Sequence, residues 1–244
     1  MKYKILDTTI NYWDITLHQI MATKSFSNVN EGDLGGWVKS EMNLSQEGDC
    51  WLYDNSKAYG KSRVYENAKL YDNSEVFDNA KVYGNTTLHG HTLVRDFADI
   101  YGMTKITESR IMDNAIISDS RILSKTTICD TAIIQNAVIS EHCLIGGNAL
   151  VQCTVDSNSE IGGKAKIIKP NDYYTFRNFW SSNRYFTWTK SNDMWKVGCF
   201  YGTGEELIEK AYKDSTISGD NYKAFVQFIE TIKKMKVLYN TKKI

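Results

Sequence analysis

"VYENAKLYDNSEVFDNAKVYGNTTLHG", residues 64–90, repeats a six-residue unit: an aliphatic residue, usually an aromatic ring, an acid or glycine, an asparagine, a small residue and a polar one. Working outward from this stretch, the aliphatic row is Leu52, Ala58, Val64, Leu70, Val76, Val82, Leu88, Val94, Ile100 and Ile106. Between them stand the small residues Ser56, Ser62, Ala68, Ser74, Ala80, Thr86, Thr92, Ala98 and Thr104. An α-helix turns once every 3.6 residues and would scatter such positions around its axis. Six residues are also too few for a strand, a turn and a returning strand. The pattern fits very short strands joined by sharp corners, three to a coil of about 18 residues, with coils stacked roughly 4.8 Å apart. The aliphatic and small residues then point into a narrow prism. The corner pairs Asp54-Asn55, Glu66-Asn67, Asp72-Asn73, Asp78-Asn79 and Gly84-Asn85 are residue types that tolerate the left-handed backbone of a tight corner.

Past Ile106 the expected inward row is Ile111, Ile117, Ile122, Ile128, Ile133 and Ile139, in steps alternating between five and six. Ile145, Val151, Val155, Ile161 and Ile167 continue it with one irregularity, and Ser109, Ala115, Ser120, Thr126, Thr131 and Ala137 keep the small-residue role. The coil is expected over residues 38–168, about seven turns and on the order of 30 Å long. An open solenoid needs both ends covered. Residues 1–37 read as a small β-rich cap, with strand-like "YKILDTT" and "LHQIMAT" and a glycine turn in "EGDLGGWV". Residues 169–244 read as an α+β unit. "YFTWTKSNDMWKVGCFYG" is a hairpin turning at Ser191-Asn192-Asp193, and Thr203 with Glu206 is a capping box that opens a helix. A second helix is expected after Ser218-Gly219, with Tyr222, Phe225, Val226 and Ile229 on one face and Lys233, Lys234 and Lys236 at its C-terminus. The fold class is therefore mainly β: a parallel β-helix with an N-terminal cap and a C-terminal hairpin plus two helices.

The 29 basic and 29 acidic residues cancel, which argues against a nucleic-acid coat, so neither DNA nor RNA is an expected partner. Cys50, Cys129, Cys143, Cys153 and Cys199 show no paired spacing; they are expected as free thiols in a reducing compartment, with no metal site. No stretch has the apolar length of a signal peptide or membrane span, so a cytoplasmic protein with no membrane partner is expected.

The six-residue spacing resembles the hexapeptide-repeat, left-handed parallel β-helix family, and left-handed winding is what that resemblance implies. "EGDLGGWV" and "NLSQEGDCWLYDN" near the start and "MWKVGCFYGTGEELI" near the end resemble a group of phage-encoded hexapeptide-repeat proteins. That implies a viral or prophage origin and a place in the host cytoplasm during infection. Well-known members of the wider family are trimeric acyl-CoA-dependent acyltransferases, with a histidine that deprotonates the acceptor at a site between prisms. On that resemblance His89, His91 and His142 are the candidate bases; the alternative is that they are ordinary surface or corner residues. No long loop interrupts residues 52–106 as one does in many such enzymes. That departure favours a protein with no catalytic residue and no cofactor.

The ring positions fall into three columns at an 18-residue step: Tyr53-Tyr71-His89, Tyr59-Phe77-Arg95 and Tyr65-Tyr83-Tyr101. Stacked rings stabilise adjacent strands, and a broad aromatic surface fits self-assembly into a trimer. In the tail, Arg177, Trp180, Arg184, Tyr185, Trp188, Lys190, Trp195 and Lys196 interleave rings that stack on bases with cations that meet phosphates. The alternative is that these rings dock the tail onto the prism. The leading functional expectation is a non-catalytic phage protein. It would bind and sequester a small anionic ligand, a nucleotide-derived host immune signal of cyclic nucleotide or cyclic ADP-ribose type, between protomers. The first alternative is an acyl-CoA-dependent acyltransferase, and the second a structural phage component.

Overall fold

A computed structural model describes the backbone of residues 1–241 and the side chains of residues 1–235. Its centre is a parallel β-solenoid of two- and three-residue strands on three faces. The first face stacks Leu52, Leu70, Leu88, Ile106, Ile122 and Ile139 in register. The second stacks Ala58, Val76, Val94, Ile111, Ile128, Ile145 and Ile161. The third stacks Val64, Val82, Ile100, Ile117, Ile134, Val151 and Ile167. All of these side chains are buried in one continuous core. The small residues between them are buried too, and their hydroxyls return to the corner: those of Ser56, Ser74 and Thr86 each donate to the carbonyl three residues back at 2.7 Å.

Most corners carry one residue at positive φ, such as Asp72 (58°), Asp78 (56°) or Gly84 (70°). A Cβ on Gly84 would lie 2.7 Å from the Gly102 nitrogen of the next coil, so a side chain is sterically excluded there. Where aspartate stands instead, its carboxylate accepts from the coil above, as Asp72 Oδ2 does from Gly90 N at 2.8 Å.

The inward row departs from expectation at one point. Ile134, not Ile133, occupies the interior, and Ala132, not Thr131, fills the small position. Ile134 pairs with Ile117 below and Val151 above, and that register decides between neighbours. The five-residue steps are Ile106 to Ile111, Ile117 to Ile122 and Ile134 to Ile139. Each of these corners borders the first face and turns on a single left-handed residue: Glu108 (44°), Asp119 (48°) and Asn136 (50°).

The N-terminal cap is a hairpin of β1 (Tyr3–Tyr12) and β2 (Ile15–Ala22), followed by β3 (Leu34–Val38). β3 pairs antiparallel with β2 and parallel with the Lys57–Ala58 strand, so it converts one hydrogen-bonding pattern into the other. The C-terminal unit holds more strands than the expected hairpin. Strands β4 (Tyr173–Arg177), β5 (Tyr185–Thr189), β6 (Met194–Val197) and β7 (Phe200–Gly202) form one antiparallel sheet. Helices α1 (Gly204–Asp214) and α2 (Thr216–Thr241) pack on it. Thr203 caps α1 reciprocally with Glu206, as expected. α2 begins earlier than expected, at Thr216, because the Ser215 hydroxyl accepts from Ser218 N at 3.1 Å. Gly219 therefore lies inside the helix, against the Tyr212 ring. Lys233 and Lys234 sit in the body of α2, not at its end; Lys233 reaches Asp193 at 2.7 Å and Glu230 at 2.6 Å. Lys236 falls outside the residues whose side chains are described.

Candidate active site

The hairpin turn between β1 and β2 places Trp13 and Asp14 in succession at φ 50° and 60°, the two-residue geometry that matches strand twist. The β1 end of this turn is fastened to the solenoid's second face. The Tyr12 hydroxyl donates to Glu75 Oε1 at 2.6 Å, and the Tyr59 hydroxyl donates to Glu75 Oε2 at 3.0 Å. Lys57 Nζ lies 3.8 Å from Glu75 Oε1 and 4.7 Å from the centre of the Tyr12 ring. Glu75 is buried together with Tyr59 and Lys57, and half-buried Tyr12 completes its partners; such pairing is the condition under which a buried carboxylate is tolerated. Burial, reinforced by the Glu75 charge, pushes the Tyr12 and Tyr59 phenols up from their ordinary values, so both remain protonated donors at neutral pH.

Beside this latch lies a groove of about 660 Å³. Trp13, 81% exposed, forms its lip with Tyr12, and Phe77 and Leu93 on the second face form its apolar floor. His91, Glu108 and Lys125 come from the corner between the first and second faces, and Arg110 from the second face itself. His91 and the cations Arg110 and Lys125 are all exposed. The groove thus joins an accessible imidazole, two positive charges, the exposed Glu108 carboxylate and a hydrophobic wall. Such a site can take a proton from a nucleophile while holding an anionic, partly apolar substrate.

The three candidate histidines are not brought together. His89 stacks on Tyr71 on the first face, rings 4.7 Å apart and within 3° of parallel. Burial, then the nearby Lys105 charge, lowers its pKa. His142 stands exposed at a corner with φ 59°, outside the groove. Only His91 faces the groove. Tyr12, Trp13, Glu75, Glu108, Arg110 and Lys125 escaped the sequence reading. Glu75 carried one available signal: it is the acid in the register row Lys57–Glu75–Leu93.

The tail residues point in several directions. Trp188 and Trp195 are buried in the C-terminal core, where half-buried Trp180 meets Tyr222 edge-on at 4.9 Å. Arg177 is exposed, 5.9 Å from the half-buried Tyr185 ring, and Lys190 is exposed at the β5–β6 turn. Lys196 lies along the last coil near Gly162, and Arg184 lines a separate cavity of about 490 Å³. Among the described residues, Asp113, Cys129 and Asp130 place ligand-type atoms within 4.8 Å of one another. These carboxylates already accept corner N–H groups, Asp113 from Asp130 at 3.0 Å and Asp130 from Gly147 at 2.6 Å. Burial and the two acids push the Cys129 thiol up to about 11, so it stays protonated at neutral pH.

No protein-family model matches the chain. Comparison with curated proteins finds 46% identity over 48 residues with a protein of Escherichia coli (strain K12) named uncharacterized acetyltransferase YdcK. The matched segment covers 19% of this chain and 15% of that protein.

Proposed function

We propose that the groove under the Tyr12–Trp13 turn is an acyl-transfer site with His91 as general base and an acyl-coenzyme A thioester as donor. The observation that carries the reading is the placement of His91 beside Arg110 and Lys125 in one groove with an aromatic lip. The partial match to a protein named as an acetyltransferase supports it. In this reading Arg110 and Lys125 meet the coenzyme's phosphates, and Phe77, Leu93 and Trp13 line its apolar arm. His91 takes the proton of an acceptor amine or hydroxyl as that group attacks the thioester carbonyl. The new C–N or C–O bond forms, the C–S bond breaks, and the departing thiolate recovers the proton from the imidazolium. A neighbouring copy in a trimer would close the groove's open side.

The test is release of free coenzyme A thiol from acetyl-CoA in the presence of a panel of amines and sugars. His91→Ala is expected to lower the rate about 10²-fold or more, while His142→Ala leaves it unchanged. Coenzyme A is expected to raise the melting temperature. No thiol release together with no thermal shift would overturn the reading. The other expectation, a non-catalytic trap for a nucleotide-derived signal, separates in a parallel assay: a nucleotide retained by the protein and recovered chemically unchanged, with no thiol release.

A further inference from the structure

The cavity beneath Arg184 is a second site, 490 Å³ in volume and built wholly within the C-terminal unit. The segment from Asn178 to Arg184 is pinched shut by a 2.7 Å hydrogen bond from Asn178 N to the Arg184 carbonyl. Asn178 and Arg184 thereby line one cavity. Asn178 is 5% exposed, and its Nδ2 donates to the Tyr222 hydroxyl at 3.1 Å. Its Oδ1 is buried with no partner. If the amide were turned over, Nδ2 would be the orphan instead. Trp180, edge-on to the same Tyr222, has a buried Nε1 with no partner either. Two of the three such atoms among the described residues therefore flank one tyrosine. A buried polar group without a partner is destabilising, and a ligand that supplies the missing bond recovers that cost.

The rest of the lining states what the ligand must be. Arg184 and Lys210 both face the cavity, and neither forms an ion pair among the described residues. Two cations lining one cavity without a salt bridge suit a doubly charged phosphate. Val197, Phe200 and Leu207 give an apolar wall for a flat ring. Asp214, also on the lining, repels a phosphate but accepts from sugar hydroxyls. We infer that this cavity binds a nucleoside monophosphate, its phosphate at Arg184 and Lys210 and an N–H of its base on Asn178 Oδ1. The site lies apart from the His91 groove and does not depend on acyl transfer there.

The experiment is isothermal titration and thermal shift on the full chain with AMP, UMP, adenosine, glucose 6-phosphate and inorganic phosphate. One or both nucleotides are expected to bind in the micromolar range, with adenosine and inorganic phosphate at least tenfold weaker. Arg184→Gln, at an exposed position, is expected to weaken nucleotide binding tenfold or more while its melting temperature without ligand stays near that of the natural chain. Asn178→Leu, which removes the acceptor for the base, is expected to weaken nucleotide binding tenfold or more and leave inorganic phosphate unchanged, and His91→Ala to leave binding unchanged. Four outcomes would overturn the inference: no nucleotide binding, inorganic phosphate binding as tightly as AMP, glucose 6-phosphate equalling both nucleotides, or full affinity in Arg184→Gln. Loss of nucleotide binding in His91→Ala would place the ligand in the groove and overturn it as well.

Discussion

At the scale of single residues, the solenoid is decided by which side chains fit a prism only a few ångströms wide. Ile134 is fully buried while its neighbour Ile133 is half-exposed, because successive side chains of a strand leave on opposite faces. Ile134→Ala is expected to cost about 2–5 kcal/mol, and Ile133→Ala about 1 kcal/mol or less. Urea unfolding of the two variants measures this, and equal losses would refute the assigned register. The same pair marks where the sequence stopped being readable. From Leu52 to Ile128 the six- and five-residue steps select the buried residue even where two aliphatics stand side by side, as at Leu93-Val94 and Ile116-Ile117. The stretch Thr131-Ala132-Ile133-Ile134 offers two small residues and two isoleucines in adjacent positions. Local periodicity cannot choose between them; the pairing of Ile134 with Ile117 and Val151, each seventeen positions away, does.

At the scale of elements, the three ring columns form as the 18-residue step requires. Tyr53 stacks on Tyr71 at 4.5 Å, Tyr59 on Phe77 at 5.1 Å, and Tyr65 on Tyr83 at 4.6 Å. His89 ends the first column on the face of Tyr71, among Lys105 and Asp72. Because burial lowers its pKa, the fold favours the neutral ring. The stability this contributes is complete above the unfolded value of 6.5 and is lost as pH falls from there through the lowered folded value. In His89→Tyr that pH dependence should vanish. The urea midpoint of the natural chain should drop relative to the variant between pH 7.5 and 5.5. At pH 7.5 the two should differ by only about 0.2–1 kcal/mol, and parallel pH profiles would contradict the assignment. These columns were legible because they arise from one repeat length. The groove was not, because its latch joins Tyr12 to Glu75, 63 positions apart. No local pattern predicts where a hairpin's free end lands. The tail aromatics show the same limit from the other side: ring-and-cation alternation in Arg177–Lys196 reads equally as a ligand site or as a core strand, and Trp188 and Trp195 are core.

At the scale of the molecule, a solenoid survives only if the N–H and C=O groups of its last coils find partners. The first coil is met by backbone pairing through β3. The last coil is met by side chains of the C-terminal sheet and the segment leading into it. Glu160 N donates to Thr187 Oγ1 at 2.9 Å, Lys166 N to Ser191 Oγ at 2.7 Å, and Ile168 N to Asp172 Oδ2 at 3.0 Å. Glu160 returns the bond, its Oε2 accepting from Gly198 N at 2.7 Å. Its carboxyl is pushed up by burial, an effect that outweighs the lowering by the Gly198 bond and by Lys196 and Arg184. The fold therefore favours the protonated acid. That contribution is complete below the unfolded value of 4.5 and is lost as pH rises through the folded one. Glu160→Gln keeps an acceptor for Gly198 N and removes the charge. The variant should melt higher than the natural chain at pH 8, with the gap closing as pH falls toward 4.5. Melting curves followed by tryptophan fluorescence report on the joint directly, since Trp188 and Trp195 lie in the core of the docked sheet. A variant that melts lower at pH 8 would show instead that the charges of Lys196 and Arg184, not burial, govern the contact between the two cores.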